Sequence, residues 1–406
     1  MWHPYTPLAD ERDNPPLEIV ADEGLHLITS TGRKIVDGNS SWWCAVHGHR
    51  PQRIMEALHN QLDTLGHVSL AGLTHEPATT LSRELLAAAP SGFSKVFLTD
   101  NGSTAVETAI KMVWQSWRVR GEQRRLIVSF EGAYHGDTLG CMMAGFSEGF
   151  HAPFADLIPA AVRLPSPDQG PVCIQALKSF LDDRGQDVAM VLLEPLLQAA
   201  GGMRVHSPQT LRDISSLCQQ HNIPLIADEV ATGFGRTGTL WAVDQAGIAP
   251  DILCLSKALT GGILPLGATL VSSSIAADFA YGTFFHGHTF AGNPLAVRAA
   301  IESLRMCLEP DFLPKVKALC QAMGEGLRAF ESMSSVKVRQ CGAVGIVETH
   351  RSGNRPLMTY YHRMLEEGYY LRPLGSLAYF WPPLTMKPDE CATMLAISRR
   401  VLGDIA

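Results

Sequence analysis

The 406-residue chain is predicted to be an α/β protein, with a large domain built on a mostly parallel sheet covered by helices and a smaller α+β domain. Short apolar strands alternate with helical stretches between residues 46 and 298, as in sheets that are buried on both faces. The chain also exceeds the roughly 250–300 residues that one core usually fills. We therefore expect a large domain over residues 46–298 and a small domain formed by residues 1–45 and 299–406.

The strands of the large domain are predicted from apolar segments that end in polar or glycine-rich loops. These segments are Lys95–Leu98, Leu126–Phe130, Val188–Leu193, Leu225–Ala227, Ile252–Leu255 and Gly267–Val271. Ligands of such sheets bind at the carboxyl ends of the strands. The loops after these segments are therefore the first place to look for a site.

The small domain is predicted from a change of pattern after Pro294. Helical periodicity continues to Leu304 and returns in a second and a closing helix, with strand-like pieces between those two. The second helix, the two strands and the closing helix are expected at Leu313–Phe330, Val344–Glu348, Tyr369–Pro373 and Asp389–Leu402.

Composition argues against several classes of protein. The net charge is −7, with 46% hydrophobic and 18% charged residues, so neither nucleic acid nor an anionic membrane is an expected partner. No apolar run approaches the roughly 20 residues of a membrane span. The N-terminus has neither the basic start nor the apolar stretch of a signal peptide.

The nine cysteines include no C-x-x-C pair, which argues against a zinc knuckle or a disulfide framework. We expect a reducing, cytoplasmic location. The pairs His47/His49 and His286/His288 lack further ligands at a zinc spacing, so no metal site is expected.

Asp228 and Lys257 each follow a predicted strand, and each is followed by a glycine-rich segment. Either residue alone is compatible with an ordinary surface position. Together they suit pyridoxal 5′-phosphate (PLP): the lysine amine joins the aldehyde, and the carboxylate keeps the ring nitrogen protonated. This pair makes a PLP enzyme the leading hypothesis.

The remaining parts of a PLP site have candidates in other loops. Gly102 and Ser103 lie between a strand and a helix, where free N–H groups and the helix dipole favour a phosphate. Thr289 is a second candidate for the phosphate, from the same subunit or a neighbouring one. Tyr134 follows another strand and could stack on the pyridine ring.

Three motifs carry a family resemblance: Asp-Glu-Val-Ala-Thr-Gly-Phe-Gly-Arg-Thr-Gly from Asp228, Ser-Lys-Ala-Leu-Thr-Gly-Gly from Ser256, and the His-Gly-His-Thr-Phe turn from His286. With them, the sequence from Trp2 to about Pro383 resembles the class III (ω-type) PLP-dependent aminotransferases. The resemblance implies a fold-type I PLP-dependent transferase.

The resemblance also implies roles for individual residues. Lys257, Asp228 and Tyr134 correspond to catalytic residues of the family. The relatives form homodimers with active sites at the subunit interface, so we expect the same here.

Within the family, the likeness is greatest to members that transfer an amino group from S-adenosylmethionine to 8-amino-7-oxononanoate in biotin synthesis. It rests on the segments beginning at Trp2, Asp37, Tyr134 and Arg372. An apolar substrate chain ending in a carboxylate calls for aromatic walls and one guanidinium. The resemblance implies that the substrate-binding residues are Tyr5, Trp42, Asp137, Arg372, Tyr379 and His288, the last at a position where relatives often carry proline.

Other functions remain open at this point. Lysine could replace S-adenosylmethionine as the amino donor, since no residue in the sequence discriminates the two. Ornithine, 4-aminobutyrate or a diamine would be the substrate of another ω-aminotransferase. An aminomutase or racemase on the same cofactor, or a non-catalytic PLP carrier, is a more distant alternative.

Overall fold

The structure is a computed structural model that describes residues 1–9, 15–159, 161–333, 336–353 and 355–405. Within these ranges the strands β1 to β16 are, in chain order, Ile19–Glu23, His26–Thr29, Lys34–Asp37, Phe93–Thr99, Leu126–Phe130, Val162–Leu164, Val188–Leu193, Leu197–Gln198, Arg204–Val205, Leu225–Asp228, Ile252–Leu255, Gly267–Ser272, Val336–Cys341, Val344–Thr349, Tyr369–Tyr370 and Leu377–Phe380.

The α-helices are numbered in the same way within the described ranges. Helices α1 to α13 are Ser40–Trp43, Gln52–Leu62, Glu76–Ala88, Gly102–Val119, Leu139–Ala144, Glu148–His151, Pro171–Arg184, Pro208–Gln220, Ser273–Ala277, Pro294–Cys307, Phe312–Arg328, Met358–Glu366 and Pro388–Asp404.

A seven-stranded sheet with the order β4-β12-β11-β10-β7-β5-β6 is the centre of the fold. Only β12 runs antiparallel to its neighbours among these strands. Strands β7, β10 and β11 are buried along their whole length, because helices cover both faces. The predicted mostly parallel sheet is confirmed, and each of its six predicted strands lies within one or two residues of the observed one.

The register of the central strands brings the two key loops together. Strands β10 and β11 are parallel neighbours, with Asp228 opposite Cys254. Lys257 begins the turn that follows β11, so it emerges at the same edge as Asp228. Helix α4 begins at Gly102, at the carboxyl end of β4, and therefore starts at this edge as well.

Of the smaller sheets, one combines residues from both ends of the chain, and another contains C-terminal residues alone. β15 pairs in parallel with β3, with Tyr369 opposite Val36, and so joins the N-terminal strands β1–β3. The other small sheet has the order β13-β14-β16. The strand expected over Tyr369–Pro373 stops at Tyr370, and the N–H of Arg372 donates to the side chain of Asn39 instead of to a neighbouring strand.

The expected domain boundary at residue 298 lies inside helix α10, and the domain division stays a prediction. This helix packs against α2 and α3, and its buried face includes Val297 and Ile301. A helix moves as one unit, so a boundary cannot divide it. We propose that the large domain extends to about Leu308, with the termini forming the small domain.

No described helix is long and apolar enough to cross a membrane. Over the same described residues, no group of three or more histidine, cysteine or acidic side chains is arranged to hold a metal ion.

Candidate active site

A cavity of about 630 Å³ opens at the carboxyl edge of the central sheet. It is lined by the loops that follow β4, β5, β7, β10 and β11, and by Trp43 and Cys44 at the end of helix α1. The predicted site residues on its wall are Gly102, Ser103, Tyr134, Asp137, Asp228 and Lys257. One cavity thus collects predicted site residues that are up to 155 positions apart, from Gly102 to Lys257.

Asp228 is the last residue of β10 and is 5% exposed. One carboxylate oxygen accepts a hydrogen bond from the N–H of Val230 at 3.0 Å. The other lies 2.7 Å from Nδ1 of His135. These contacts fix the orientation of the carboxylate.

Lys257 is partly buried, and its Nζ lies 5.0 Å from the centre of the Trp43 ring. Burial lowers the pKa of Lys257, while the negative charges of Asp228 and Glu194 oppose that decrease. No hydrogen bond from this amine to any described residue is present. The amine is therefore available for a ligand in the cavity.

Helix α4 begins with two unpaired backbone donors. Its N-cap Asn101 accepts a hydrogen bond from the N–H of Thr104, at 3.0 Å. The N–H groups of Gly102 and Ser103 have no partner in the described part of the chain. Together with the positive end of the helix dipole, they form a site suited to a phosphate.

The loop after β5 approaches this helix closely. Gly136 has φ +122°, and a Cβ atom at that position would lie 2.1 Å from Oγ of Ser103. Glycine is required at Gly136 for both reasons. The close approach brings Tyr134 and Asp137 to the wall of the cavity beside the helix N-terminus.

Neither Trp42 nor Tyr5 lines the cavity, but Tyr5 contacts its wall from the N-terminal segment. Its hydroxyl donates a short hydrogen bond to Asp137, and its ring packs edge-on against Trp42 with centroids 5.7 Å apart. Burial, followed by the bond to Asp137, raises the pKa of Tyr5 to about 12. The hydroxyl therefore remains a donor at neutral pH.

The segment that carries Trp42 and Trp43 is a left-handed turn. Its four residues, Ser40 to Trp43, have φ between 46° and 77°. Such angles are unfavourable for residues with a Cβ atom, at roughly 1–2 kcal/mol each. The buried carboxylate of Asp37 holds the turn by accepting hydrogen bonds from the N–H of Asn39 and the hydroxyl of Ser41.

Tyr379 and Arg372 lie outside the cavity wall. Tyr379 is buried behind Trp43 and accepts a hydrogen bond from its indole N–H at 3.2 Å. It therefore acts on the cavity through Trp43. Arg372 is exposed and lies beside Tyr370. Burial raises the pKa of Tyr370, and the positive charge of Arg372 offsets part of that increase. The contact of Arg372 with a substrate stays a prediction.

His288 and Thr289 do not line the cavity of their own chain. Thr289 is exposed, and His288 lines a separate cavity of about 420 Å³. Nδ1 of His288 lies 3.7 Å from a carboxylate oxygen of Asp100. Within one chain, these two residues are therefore not near the proposed phosphate and substrate positions. They could contact them only in the active site of a neighbouring subunit.

Two functional candidates were missing from the sequence prediction. His135 contacts Asp228 and has an unpartnered, buried Nε2. Glu194 follows β7 and accepts hydrogen bonds from the N–H groups of Tyr134 and Ala199; burial raises its pKa to about 7. Its position after a predicted strand was a usable signal, whereas the contact of His135 was not visible in the sequence.

The residues of the cavity fit PLP. The free N–H groups of Gly102 and Ser103 would hold the phosphate, and Asp228 would pair with the ring nitrogen. Tyr134 supplies an aromatic face and Lys257 an amine without another partner. The free donors and the unpaired amine are otherwise unexplained polar groups, and this cofactor would satisfy them.

Comparisons with known proteins agree with this assignment. The family described as aminotransferase class-III matches residues 8–402. An adenosylmethionine-8-amino-7-oxononanoate aminotransferase of Synechococcus elongatus is 40% identical over 100% of this chain and 99% of that protein. The structure of the enzyme of that name from Methanocaldococcus jannaschii has a TM-score of 0.95 and 32% identity, covering 100% of this chain and 97% of the other.

A third similarity concerns the cofactor. An amine transaminase from an uncultivated Pseudomonas species, solved in its PLP-bound form, has a TM-score of 0.93 and 29% identity, covering 100% of this chain and 99% of that one. The fold and the cavity thus define a fold-type I transferase that uses PLP. The chain belongs to the class-III aminotransferase family, and it is an aminotransferase.

Proposed function

We propose that this aminotransferase moves an amino group from S-adenosylmethionine to 8-amino-7-oxononanoate, giving 7,8-diaminononanoate for biotin synthesis. The observation that carries the proposal is the hydrogen bond from Tyr5 to Asp137. It brings the N-terminal segment to the Lys257 cavity, where Trp42 packs against the tyrosine. This segment is the part of the sequence that argues against other ω-aminotransferases.

Lys257 would move the proton in each half-reaction. Because burial lowers its pKa, more of its amine is uncharged at neutral pH than in an exposed lysine. Asp228, held by His135 and a backbone N–H, would keep the ring nitrogen protonated. The bound PLP supplies an electron sink for the carbon that carries the amine.

The apolar wall of the cavity supports a substrate with an aliphatic chain. The segment from Gly262 to Leu266 contributes the side chains of Ile263, Leu264, Pro265 and Leu266 to the lining. Trp43 adds an aromatic face on the same cavity. Such a surface favours the methylene chain of an amino-oxononanoate over a short, doubly charged substrate.

We propose a homodimer with its active sites at the interface, in which Thr289 of one subunit reaches the phosphate of the other. Exposed aromatic residues in and near the same loop support an interface: Tyr281, Phe285 and Phe290 are 105%, 76% and 59% exposed. The described cysteines are all free, which supports a reducing compartment, the cytoplasm.

The absorbance spectrum of the purified, PLP-loaded protein tests the function. We expect S-adenosylmethionine, added without an acceptor, to convert the bound cofactor to its aminated form. Addition of 8-amino-7-oxononanoate should then restore the original spectrum and release 7,8-diaminononanoate, as a ping-pong mechanism requires.

Other outcomes identify the alternatives. A response to lysine and not to S-adenosylmethionine would change the donor and leave the acceptor in place. A response to neither amine would contradict the proposal and favour ornithine, 4-aminobutyrate or a diamine as the substrate. A protein that binds PLP and converts no amine would be a carrier.

A further inference from the structure

His151 is a buried histidine whose ring contacts two residues of the cavity wall, Tyr134 and Asp137. It ends the short helix α6 and is 1% exposed, so it cannot itself contact a substrate. Its Nδ1 accepts a hydrogen bond from the N–H of Ser147 at 3.2 Å. In the neutral ring the hydrogen is therefore on Nε2, which lies 3.3 Å from a carboxylate oxygen of Asp137.

The face of the same ring is also occupied. It stacks on Tyr134, with ring centroids 5.5 Å apart and an angle of 19° between the planes. Phe146 packs against it edge-on at 5.9 Å. One buried side chain thus limits the movement of Tyr134 and of Asp137 together.

Asp137 needs such support because its side chain is 53% exposed. One of its oxygens faces His151, and the other accepts a hydrogen bond from the hydroxyl of Tyr5. Tyr5 in turn packs against Phe150, the residue before His151, at 5.2 Å. The contacts therefore form a chain from His151 through the carboxylate to the N-terminal segment.

We propose that His151 is a positioning residue, which orients the Asp137 carboxylate and, through it, the Tyr5 hydroxyl to receive the amino group of a substrate. The role rests on the proposed substrate contacts of Tyr5 and Asp137, but it does not depend on which amine is the donor. A carboxylate whose two oxygens each accept one hydrogen bond is held in one orientation and keeps a free lone pair on each oxygen, which suits an ammonium group.

Two substitutions at His151 distinguish the roles of the two ring nitrogens. In His151→Gln the terminal amide can still donate to Asp137, because its nitrogen reaches the place of Nε2. In His151→Asn the carbonyl takes the place of Nδ1 and keeps the Ser147 contact, but the donation to Asp137 is lost. Both lose the ring that stacks on Tyr134, so that loss cancels in the comparison.

We expect His151→Asn to raise KM for the amine about fivefold to tenfold relative to His151→Gln, with kcat alike within about twofold. In an Asp137→Asn background the two variants should behave alike, because the coupled partner is gone. Equal KM values for the two variants in the native background would overturn the proposal.

A readout without substrate keeps this test separate from the proposed function. We expect residues 2–8 of the PLP-loaded His151→Asn protein to exchange amide hydrogens faster than in His151→Gln, because Tyr5 loses its fixed acceptor. Unchanged exchange would also overturn the role of His151. Should the wild-type enzyme use an amine other than S-adenosylmethionine, the proposed function fails, and the KM comparison is made with that amine.

Discussion

At the scale of single residues, the site depends on polar groups that lack protein partners. The amine of Lys257 and the N–H groups of Gly102 and Ser103 are unpaired in the described structure. Asp228, in contrast, is fixed by two contacts before any ligand binds. The site is thus arranged in advance around a ligand with a phosphate, a ring nitrogen and an aldehyde.

The substitution Lys257→Ala should abolish turnover while the protein remains folded. The cavity would lose the amine that moves the proton, and no other described lysine lines it. Turnover and thermal midpoint should be measured together, with Lys315→Ala as the control because Lys315 is exposed on helix α11. Substantial residual turnover would defeat the assignment.

Arg372→Ala should impair the acceptor half-reaction about 10-fold to 100-fold in kcat/KM, and the donor half-reaction less. The reason is the loss of a guanidinium that would pair with the substrate carboxylate. Single-turnover kinetics of each half-reaction measures the effect. Arg363→Ala, which removes a pair with Asp404, is a matched control. Equal losses in both half-reactions would remove the proposed role.

At the scale of elements, the left-handed turn α1 has the least favourable backbone near the site. Four successive residues with positive φ place Trp42 beside Tyr5 and Trp43 on the cavity wall. Hydrogen bonds to Asp37 offset part of the strain. A rigid aromatic wall is the result of an unfavourable local conformation held by its surroundings.

We expect Ser41→Val to destabilise the protein by about 1–3 kcal/mol more than Ser41→Gly. Both lose the hydroxyl that contacts Asp37, but glycine accepts the positive φ of 46° and a β-branched residue does not. Denaturant unfolding of the PLP-loaded protein gives the difference.

Ser179 provides the reverse control for this comparison. It is exposed in the right-handed helix α7, where glycine should be worse than valine by a few tenths of a kcal/mol. The same order of stability at both serines would contradict the left-handed turn.

At the scale of the whole molecule, two properties follow from the packing. The loop that carries Thr289 exposes aromatic side chains, and buried carboxylates lie around the central sheet. The exposed aromatic side chains concern the assembly of subunits. The buried carboxylates concern the dependence of stability on pH.

The double substitution Tyr281→Ser and Phe285→Ser should convert a dimer to monomers and weaken the binding of PLP. Both side chains are exposed in the single chain, so their loss should leave its fold intact. Sedimentation velocity and a PLP titration measure the two effects. Val172→Ser removes another exposed apolar side chain, on helix α7, and should change neither. Unaltered dimers would rule out this loop as part of the interface.

Because of Glu229, the free energy of unfolding should decrease as pH rises from about 4.5 to 8. It is fully buried, and burial raises its pKa to about 8. The folded state therefore holds a proton that the unfolded state has released in this window, so stability falls by at most about 1.4 kcal/mol per pH unit.

The substitution Glu229→Gln should remove this part of the pH dependence. It also weakens the contacts with the N–H groups of Ala242 and Val243, so the slope with pH is the measurement and not the absolute stability. Glu366→Gln, at an exposed position, should keep the wild-type slope. An unchanged slope in Glu229→Gln would show that the carboxylate is ionised throughout.

Six of the seven strands of the central sheet, and the residues at its carboxyl edge, could be predicted from the sequence alone. Asp228 and Lys257 were found because each lies within two residues of the carboxyl end of an apolar strand, and the position of a strand end can be read from the local sequence. Gly102 and Ser103 at the start of α4 were found for the same reason.

Tertiary structure alone decided which distant side chains meet. The bond between Tyr5 and Asp137 spans 132 positions, and the contact of His135 with Asp228 spans 93. The left-handed turn from Ser40 to Trp43 was equally invisible, because serine and tryptophan do not favour positive φ. The local sequence pattern indicates where a strand ends. Contacts between loops, and the formation of a strained turn, depend instead on how the whole chain packs.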